Sequence, residues 1–281
     1  MKVSIITVCK DAVKSTERTL VSLYGQTYKD IEHIVIDGGS TDGTLEILSK
    51  YRDNISVLIS EPDSGIYNAM NKAIKLATGD LVYFLNATDT FYDENVLKKA
   101  VDEFKKHPDL ELLWGDVQFV KENKEIRIAT FENINVKSDL IYNNPCHQSM
   151  FYKNEIFVKY GDYNENLPIY ADYEFNVRML VHHNVRCKYI PEVLARFELG
   201  GVSTSSDEKI KLRQKQERVQ IYKEHFRNNL HYRLDKFFTK VFGTPTAYVK
   251  NTRLWNILFT IYDKVLRLVL KQQLTLNKIK T

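Results

Sequence analysis

Four short polar clusters hold most of the side chains that could do chemistry in the first part of this chain. They are Thr7-Val8-Cys9-Lys10-Asp11, residues 37–44, Glu61-Pro62-Asp63-Ser64-Gly65 and Asn86-Ala87-Thr88-Asp89. Each follows an apolar run of strand character. Three of them supply a carboxylate, from Asp37, Asp63 and Asp89. Carboxylates gathered at one rim repel one another unless a cation or hydrogen-bond donors compensate. The Gly, Ser and Thr between them let backbone amides approach a phosphate or a sugar closely. One such cluster would read simply as helix-capping loop acids, since Asp and Ser favour caps. Four at successive strand ends point to a polyanionic ligand and a cation.

Those clusters need elements to position them. Residues 3–9, 31–36, 55–60 and 81–85 have strand patterns, and residues 15–24, 44–51, 64–77 and 95–106 have helical spacing. The β-α-β-α order predicts an α/β protein with a mostly parallel, three-layer sheet. Ligands of such sheets lie beyond the carboxyl ends of the strands, where the clusters fall. Strand patterns over 110–120 and 125–130, a helix over 171–182 and a strand over 187–197 interrupted by Pro191 follow. Gly200-Gly201 and residues 203–206 form a joint.

Charge divides the chain in the same place. The 281 residues carry a net +4, yet residues 208–281 hold 17 Lys and Arg against 5 Asp and Glu. That tail is +12 and residues 1–207 are −8. Hydrophobic residues at 43% and charged residues at 27% exclude wholesale disorder. Cys9, Cys146 and Cys187 form no CxxC pair, which argues for reduced thiols in a cytoplasmic protein. The N-terminus has no signal-peptide pattern, and no run reaches the roughly 18 apolar residues of a membrane span.

The motifs, taken in order, resemble family 2 glycosyltransferases of the GT-A fold, a Rossmann-like architecture. The resemblance rests on Val3-Ser4-Ile5-Ile6-Thr7-Val8, Gln26-Thr27-Tyr28 and Ile36-Asp37-Gly38-Gly39-Ser40-Thr41-Asp42-Gly43-Thr44. It continues through Glu61-Pro62-Asp63-Ser64-Gly65-Ile66-Tyr67-Asn68-Ala69-Met70-Asn71-Lys72, Ala77-Thr78-Gly79-Asp80 and Phe84-Leu85-Asn86-Ala87-Thr88-Asp89. A looser match follows at Cys146-His147-Gln148-Ser149-Met150-Phe151 and Ala171-Asp172-Tyr173-Glu174. The implied domains are a catalytic domain over 1–200, with a nucleotide-sugar half (1–108) and an acceptor half (109–200), and a basic helical extension over 201–281.

The resemblance implies an inverting transfer from a nucleotide-sugar donor, with UDP favoured by family frequency. The implied donor contacts are Thr7, Asp37, Asp63, Asn71, Lys72 and His147. Asp37 is expected near the nucleoside, although Gly38 stands where many members carry a second acid. Asp89 is expected to hold Mg²⁺ or Mn²⁺ on the diphosphate, with Thr88 replacing a second acid. His147 reads equally as a ligand, a phosphate contact or a histidine packed after Pro145. Asp172 is the expected general base for the acceptor hydroxyl, with Glu174 as the alternative.

In the tail, residues 254–270 alternate apolar and basic positions at helical spacing, with Trp255, Phe259 and Tyr262 among them. This suits a helix lying in an anionic membrane surface, or one packed on the domain or in a homodimer. No nucleic-acid-binding module accompanies the charge. The expected acceptor is a glycan or polyprenyl-linked oligosaccharide for surface polysaccharide, built at the inner face of the membrane. A non-catalytic nucleotide-binding scaffold subunit is the alternative.

Overall fold

The computed structural model describes residues 1–122, 124–132, 140, 144–183 and 185–226. The chain divides into two units, Met1–His225 and Phe226–Thr281. The expectations for residues 254–270 lie outside the described residues.

Strand β1 (Val3–Cys9) is buried along its whole length. It pairs in parallel with β2 (Ile31–Asp37) on one side and β4 (Leu81–Phe84) on the other, and β3 (Val57–Ser60) pairs in parallel with β2. A strand covered on both faces needs no polar alternation, which is why only Ser4 and Thr7 interrupt its apolar sequence. The register sets Cys9 beside Asp37 and Asp37 beside Ser60. Beyond β4, Ala87 N still donates to Val8 O. The carboxyl ends of the parallel strands therefore form one rim.

Four helices follow the strands of this half. Helix α1 (Val13–Tyr24) buries Thr16, Thr19, Leu20 and Leu23, which share one face. Next come α2 (Thr44–Lys50) and α3 (Ile66–Ile74), and α3 packs on β1 and β2. After the short β5 (Thr90–Phe91), α4 (Val96–Lys106) sets Leu97, Val101 and Phe104 against Val3, Ile5, Leu81 and Tyr83. Leu20, Val35 and Leu48 belong to a second core cluster, and the partly buried Tyr24 packs against both clusters.

The second half extends the same sheet in mixed sense. Its elements are β6 (Leu112–Lys121), β7 (Lys124–Ala129), β8 (Met150–Lys153), α5 (Glu155–Tyr160), α6 (Ala171–Val177), β9 (Cys187–Glu198) and α7 (Glu208–His225). Among the described residues the strand order is β3-β2-β1-β4-β8-β6-β9-β5, with β7 on β6. Strand β8 is antiparallel to β4 and β6, while β9 runs parallel to β6. Pro191 does not stop β9. The β6–β9 register shifts between Trp114 and Asp116, where a proline without an N–H is tolerated. A Cβ on Gly115 would lie 2.5 Å from Glu192 O, so only glycine fits this shift.

The helix expected over 171–182 is α-helical only through Val177 and continues as a π-helix over Arg178–His182. The first unit includes α7 and ends at His225. The buried Glu217 of α7 accepts from Ile169 N at 3.0 Å and Tyr170 N at 2.9 Å, and pairs with Arg213 at 2.8 Å. One acid in a basic helix thus ties α7 to the segment leading into α6. Replacing Glu217 by Ala would leave two buried amides unpaired. We expect about 2–4 kcal/mol of lost stability, read as a lower denaturation midpoint, with Glu217→Gln recovering part of it.

No helix among the described residues is long and apolar enough to cross a membrane. Cys9, Cys146 and Cys187 are free thiols.

Candidate active site

A cavity of about 1110 Å³ opens at the carboxyl ends of β1, β3 and β4. Lys10, Asp63 and residues 86–89 line its sheet side, and Tyr67 stands on α3. Residues 146–148 and Asp172 line it as well, as do the apolar Phe119, Ile128, Phe131 and Phe197.

Asp89 sits in the loop after β4, held from behind. Its backbone carbonyl accepts from Thr19 Oγ1 at 2.8 Å, and its Oδ1 accepts from Glu198 N at 3.2 Å. The second oxygen, Oδ2, is buried with no hydrogen-bond partner. Burial pushes this carboxyl up to about 6, only partly opposed by the Glu198 amide, by His147 and by the Gln148 and Thr88 side chains. Asn86 Oδ1, in the same loop, is also buried and unpartnered. An unpartnered buried carboxylate oxygen suits a cation. Among the described residues no three His, Cys, Asp or Glu side chains converge on one point. A divalent ion here would therefore draw its other ligands from outside this set, as Mg²⁺ does with phosphate oxygens and water.

Asp172 opens α6 and is treated in the opposite way. His147 Nδ1 donates to its Oδ2 at 3.0 Å, and Tyr67 Oη donates to its Oδ1 at 2.8 Å. Burial alone would raise this carboxyl, but the hydrogen bonds from His147 and Tyr67 outweigh it and hold the pKa below the ordinary value. With Nδ1 donating, His147 Nε2 accepts from Asn86 Nδ2 at 3.3 Å. Both ring nitrogens are thus engaged. His147 bridges the Asn86–Asp89 loop to Asp172.

Several residues expected at the ligand lie elsewhere. Thr7 is buried in β1, its Oγ1 3.0 Å from His33 Nε2, and does not reach the cavity. Asp37 accepts from Ser40 Oγ, Ser40 N at 2.9 Å, Gly39 N at 3.1 Å and Ser60 Oγ at 2.7 Å. Its carboxylate organises the turn after β2 and does not line the cavity. Asn71 brackets a distant loop, donating to Tyr163 O at 2.9 Å and accepting from Tyr163 N at 3.0 Å. Lys72 pairs with Glu61 at 2.6 Å on the surface. Glu174 is two residues from Asp172 and so points to the other side of α6, where Arg178 and His225 hold it at 3.0 and 3.1 Å. It is no alternative base.

Asp63 does line the cavity, its Oδ1 accepting from Gly65 N at 2.9 Å. A Cβ on Gly38 would lie 2.5 Å from Asp63 Oδ2. Asp63 and residue 38 therefore share one space, and a side chain at residue 38 would have to displace the Asp63 carboxylate. Tyr67, Asn86 and Glu217 took no role in the sequence reading. Tyr67 and Asn86 stand inside the quoted motifs, and Glu217 is one of only 5 acids in the +12 tail.

A curled, mostly parallel sheet with this rim and cavity defines a GT-A-fold glycosyltransferase. The sequence model described as "Glycosyl transferase family 2" matches residues 4–161. The "PGL/p-HBAD biosynthesis glycosyltransferase" of Mycobacterium bovis (strain BCG / Pasteur 1173P2) is 33% identical over 190 residues, covering 66% of this chain and 73% of that protein. The "Poly-beta-1,6-N-acetyl-D-glucosamine synthase" of Staphylococcus epidermidis is 29% identical over 133 residues, 46% of this chain and 32% of that one. Among solved structures, S. aureus TarS 1–349 in complex with UDP-GlcNAc aligns with a TM-score of 0.65 at 20% identity, over 91% of this chain and 78% of that one. The mannosyltransferase PcManGT of Pyrobaculum calidifontis, in complex with GDP-Man and Mn²⁺, aligns with a TM-score of 0.58 at 20% identity, over 80% and 64%. The chain belongs to glycosyltransferase family 2, and it is an enzyme of nucleotide-sugar glycosyl transfer.

Proposed function

We propose that this enzyme transfers a sugar, with inversion, from a UDP-sugar to a hydroxyl of a glycan or lipid-linked acceptor. The observation that carries the reading is the contrast between two carboxylates in one cavity. Asp172 is held ionised by two donors, while Asp89 has an unpartnered oxygen and is pushed up to about 6. Paired acids with divergent environments are the signature of divided labour. Asp172 is the general base that takes the acceptor's proton, and His147 orients it. Asp89 is the residue that would hold Mg²⁺ or Mn²⁺, and such an ion, when bound, neutralises the departing diphosphate. Lys10 on the cavity wall adds positive charge near the same rim. The apolar part of the lining supports an acceptor with an apolar portion. The UDP-GlcNAc bound by TarS supports UDP as carrier.

The test is a panel of nucleotide sugars, assayed for hydrolysis and transfer with and without Mn²⁺ or Mg²⁺. Metal-stimulated turnover of a UDP-sugar is the expected result. Binding of a donor without turnover of any would favour the scaffold alternative. A pH dependence follows from Asp89. A cation binds the anionic carboxylate, so binding is full above about pH 6 and is lost as pH falls through that value. We expect the metal concentration for half-maximal activity to rise about tenfold per pH unit below 6, measured at fixed donor.

The charge of the tail supports peripheral attachment to an anionic membrane. Cosedimentation with anionic liposomes, lost on removing residues 253–281, is the expected result. A change in solution mass without liposome binding would favour a dimer.

A further inference from the structure

The phenol of Tyr67 has one proton and two acceptors. Its Oη lies 2.8 Å from Asp172 Oδ1 and 2.9 Å from the backbone oxygen of Ile169. The side chain is 5% exposed, and its ring packs on Tyr163 at 5.4 Å between centroids. Burial pushes the phenol far above its ordinary pKa, so it stays a donor. The peptide unit that carries the Ile169 carbonyl is itself fixed, because its N–H, that of Tyr170, donates to the buried Glu217 at 2.9 Å. Neither the phenol nor its second acceptor can easily move, and only the proton is free to choose.

We propose that Tyr67 is a positioning residue for the base, turning its hydroxyl proton between Asp172 and the Ile169 carbonyl as the base changes protonation state. This rests on the assignment of Asp172 as base. Before transfer Asp172 is an anion and the phenol donates to its Oδ1. During transfer the acceptor O–H bond breaks and its proton passes to Asp172 Oδ1. The acceptor oxygen bonds to the anomeric carbon, and the bond from that carbon to the diphosphate breaks, with its electron pair leaving on the nucleoside diphosphate. Oδ1 is now an O–H donor. The phenol oxygen accepts from it, while the phenol proton turns to Ile169 O. His147 keeps donating to Oδ2 throughout. Both states of the base are satisfied by rotation of two O–H bonds, that of the protonated Asp172 toward the phenol and that of the phenol toward Ile169, with no heavy atom moved, which is the low-reorganisation arrangement that favours proton transfer.

Tyr67→Phe keeps the ring and its packing and removes only the hydroxyl. We expect kcat for transfer to fall roughly ten- to a hundredfold, as for a lost hydrogen bond to a charged group, with the donor KM unchanged. Calorimetric donor binding at the wild-type affinity would show the fold intact. Added to Asp172→Asn, the Phe substitution should cost nothing further, because its effect runs through the carboxylate. A wild-type kcat in Tyr67→Phe, or a loss carried mainly by donor KM or affinity, would overturn the proposal. Full transfer by Asp172→Asn alone would instead remove the base assignment beneath it, so the two failures are told apart.

Discussion

Asp172→Asn is expected to reduce transfer by about a hundredfold to ten-thousandfold, the range a positioned general base supplies. The amide is nearly isosteric. It can still accept one hydrogen bond, so His147 and α6 should keep their places. It cannot take a proton. Donor affinity, measured by calorimetry with the unreacted nucleotide sugar, should stay within a few fold of wild type, because nothing about Asp172 points to the diphosphate end. The pair of readouts separates lost chemistry from lost binding. The surroundings make the effect large. Asp172 is ionised at neutral pH because two donors overcome its burial. Glu174, two residues further on, does not stand in for it, since it faces Arg178 and His225 across the helix.

Asp89→Asn is expected to remove metal stimulation and to reduce transfer by a comparable factor, since charge neutralisation at a leaving diphosphate contributes several kcal/mol. Its stability should move the other way. The folded carboxyl titrates at about 6 against an ordinary 3.8, so the folded state binds more protons than the unfolded state between those values. Stability from this group is present below about pH 4 and is lost as pH rises through 6, up to about 3 kcal/mol for ionising it in the folded state. The Asn variant lacks that slope. Without added metal it should therefore melt higher than wild type near pH 7 and no higher near pH 4. Loss of activity together with a gain in stability would mark Asp89 as a residue held for function against folding. A variant that melts lower at both pH values and still responds to metal would sink the assignment.

Local patterns carried much of this. The largely apolar β1, the glycine-rich turn after β2 and the order of the motifs are legible because each reports a neighbourhood of a few residues. They sufficed for the α/β class and for the family. Asp89 and Asp172 were legible as candidates because each sits at a strand or helix end within such a motif. Asp37 was equally prominent in sequence, yet Ser40, Gly39 and Ser60 claim its oxygens, and two of those partners are its own turn neighbours. Asn71 and Lys72 stand in the same motif as Tyr67, one helical turn further on, and a single turn separates the cavity wall from a loop bracket and a surface ion pair.

What the chain determines by itself is the first four strands, their parallel order and the carboxylates at their ends, since these follow from periodicity and turn chemistry. Only the tertiary structure decides which carboxylate is satisfied and which is left wanting. Asp172 meets Tyr67 across 105 positions of sequence and His147 across 25, and Glu217 reaches Ile169 across 48. A carboxylate's charge state depends on donors and burial supplied by residues remote in the chain, and no local pattern records them.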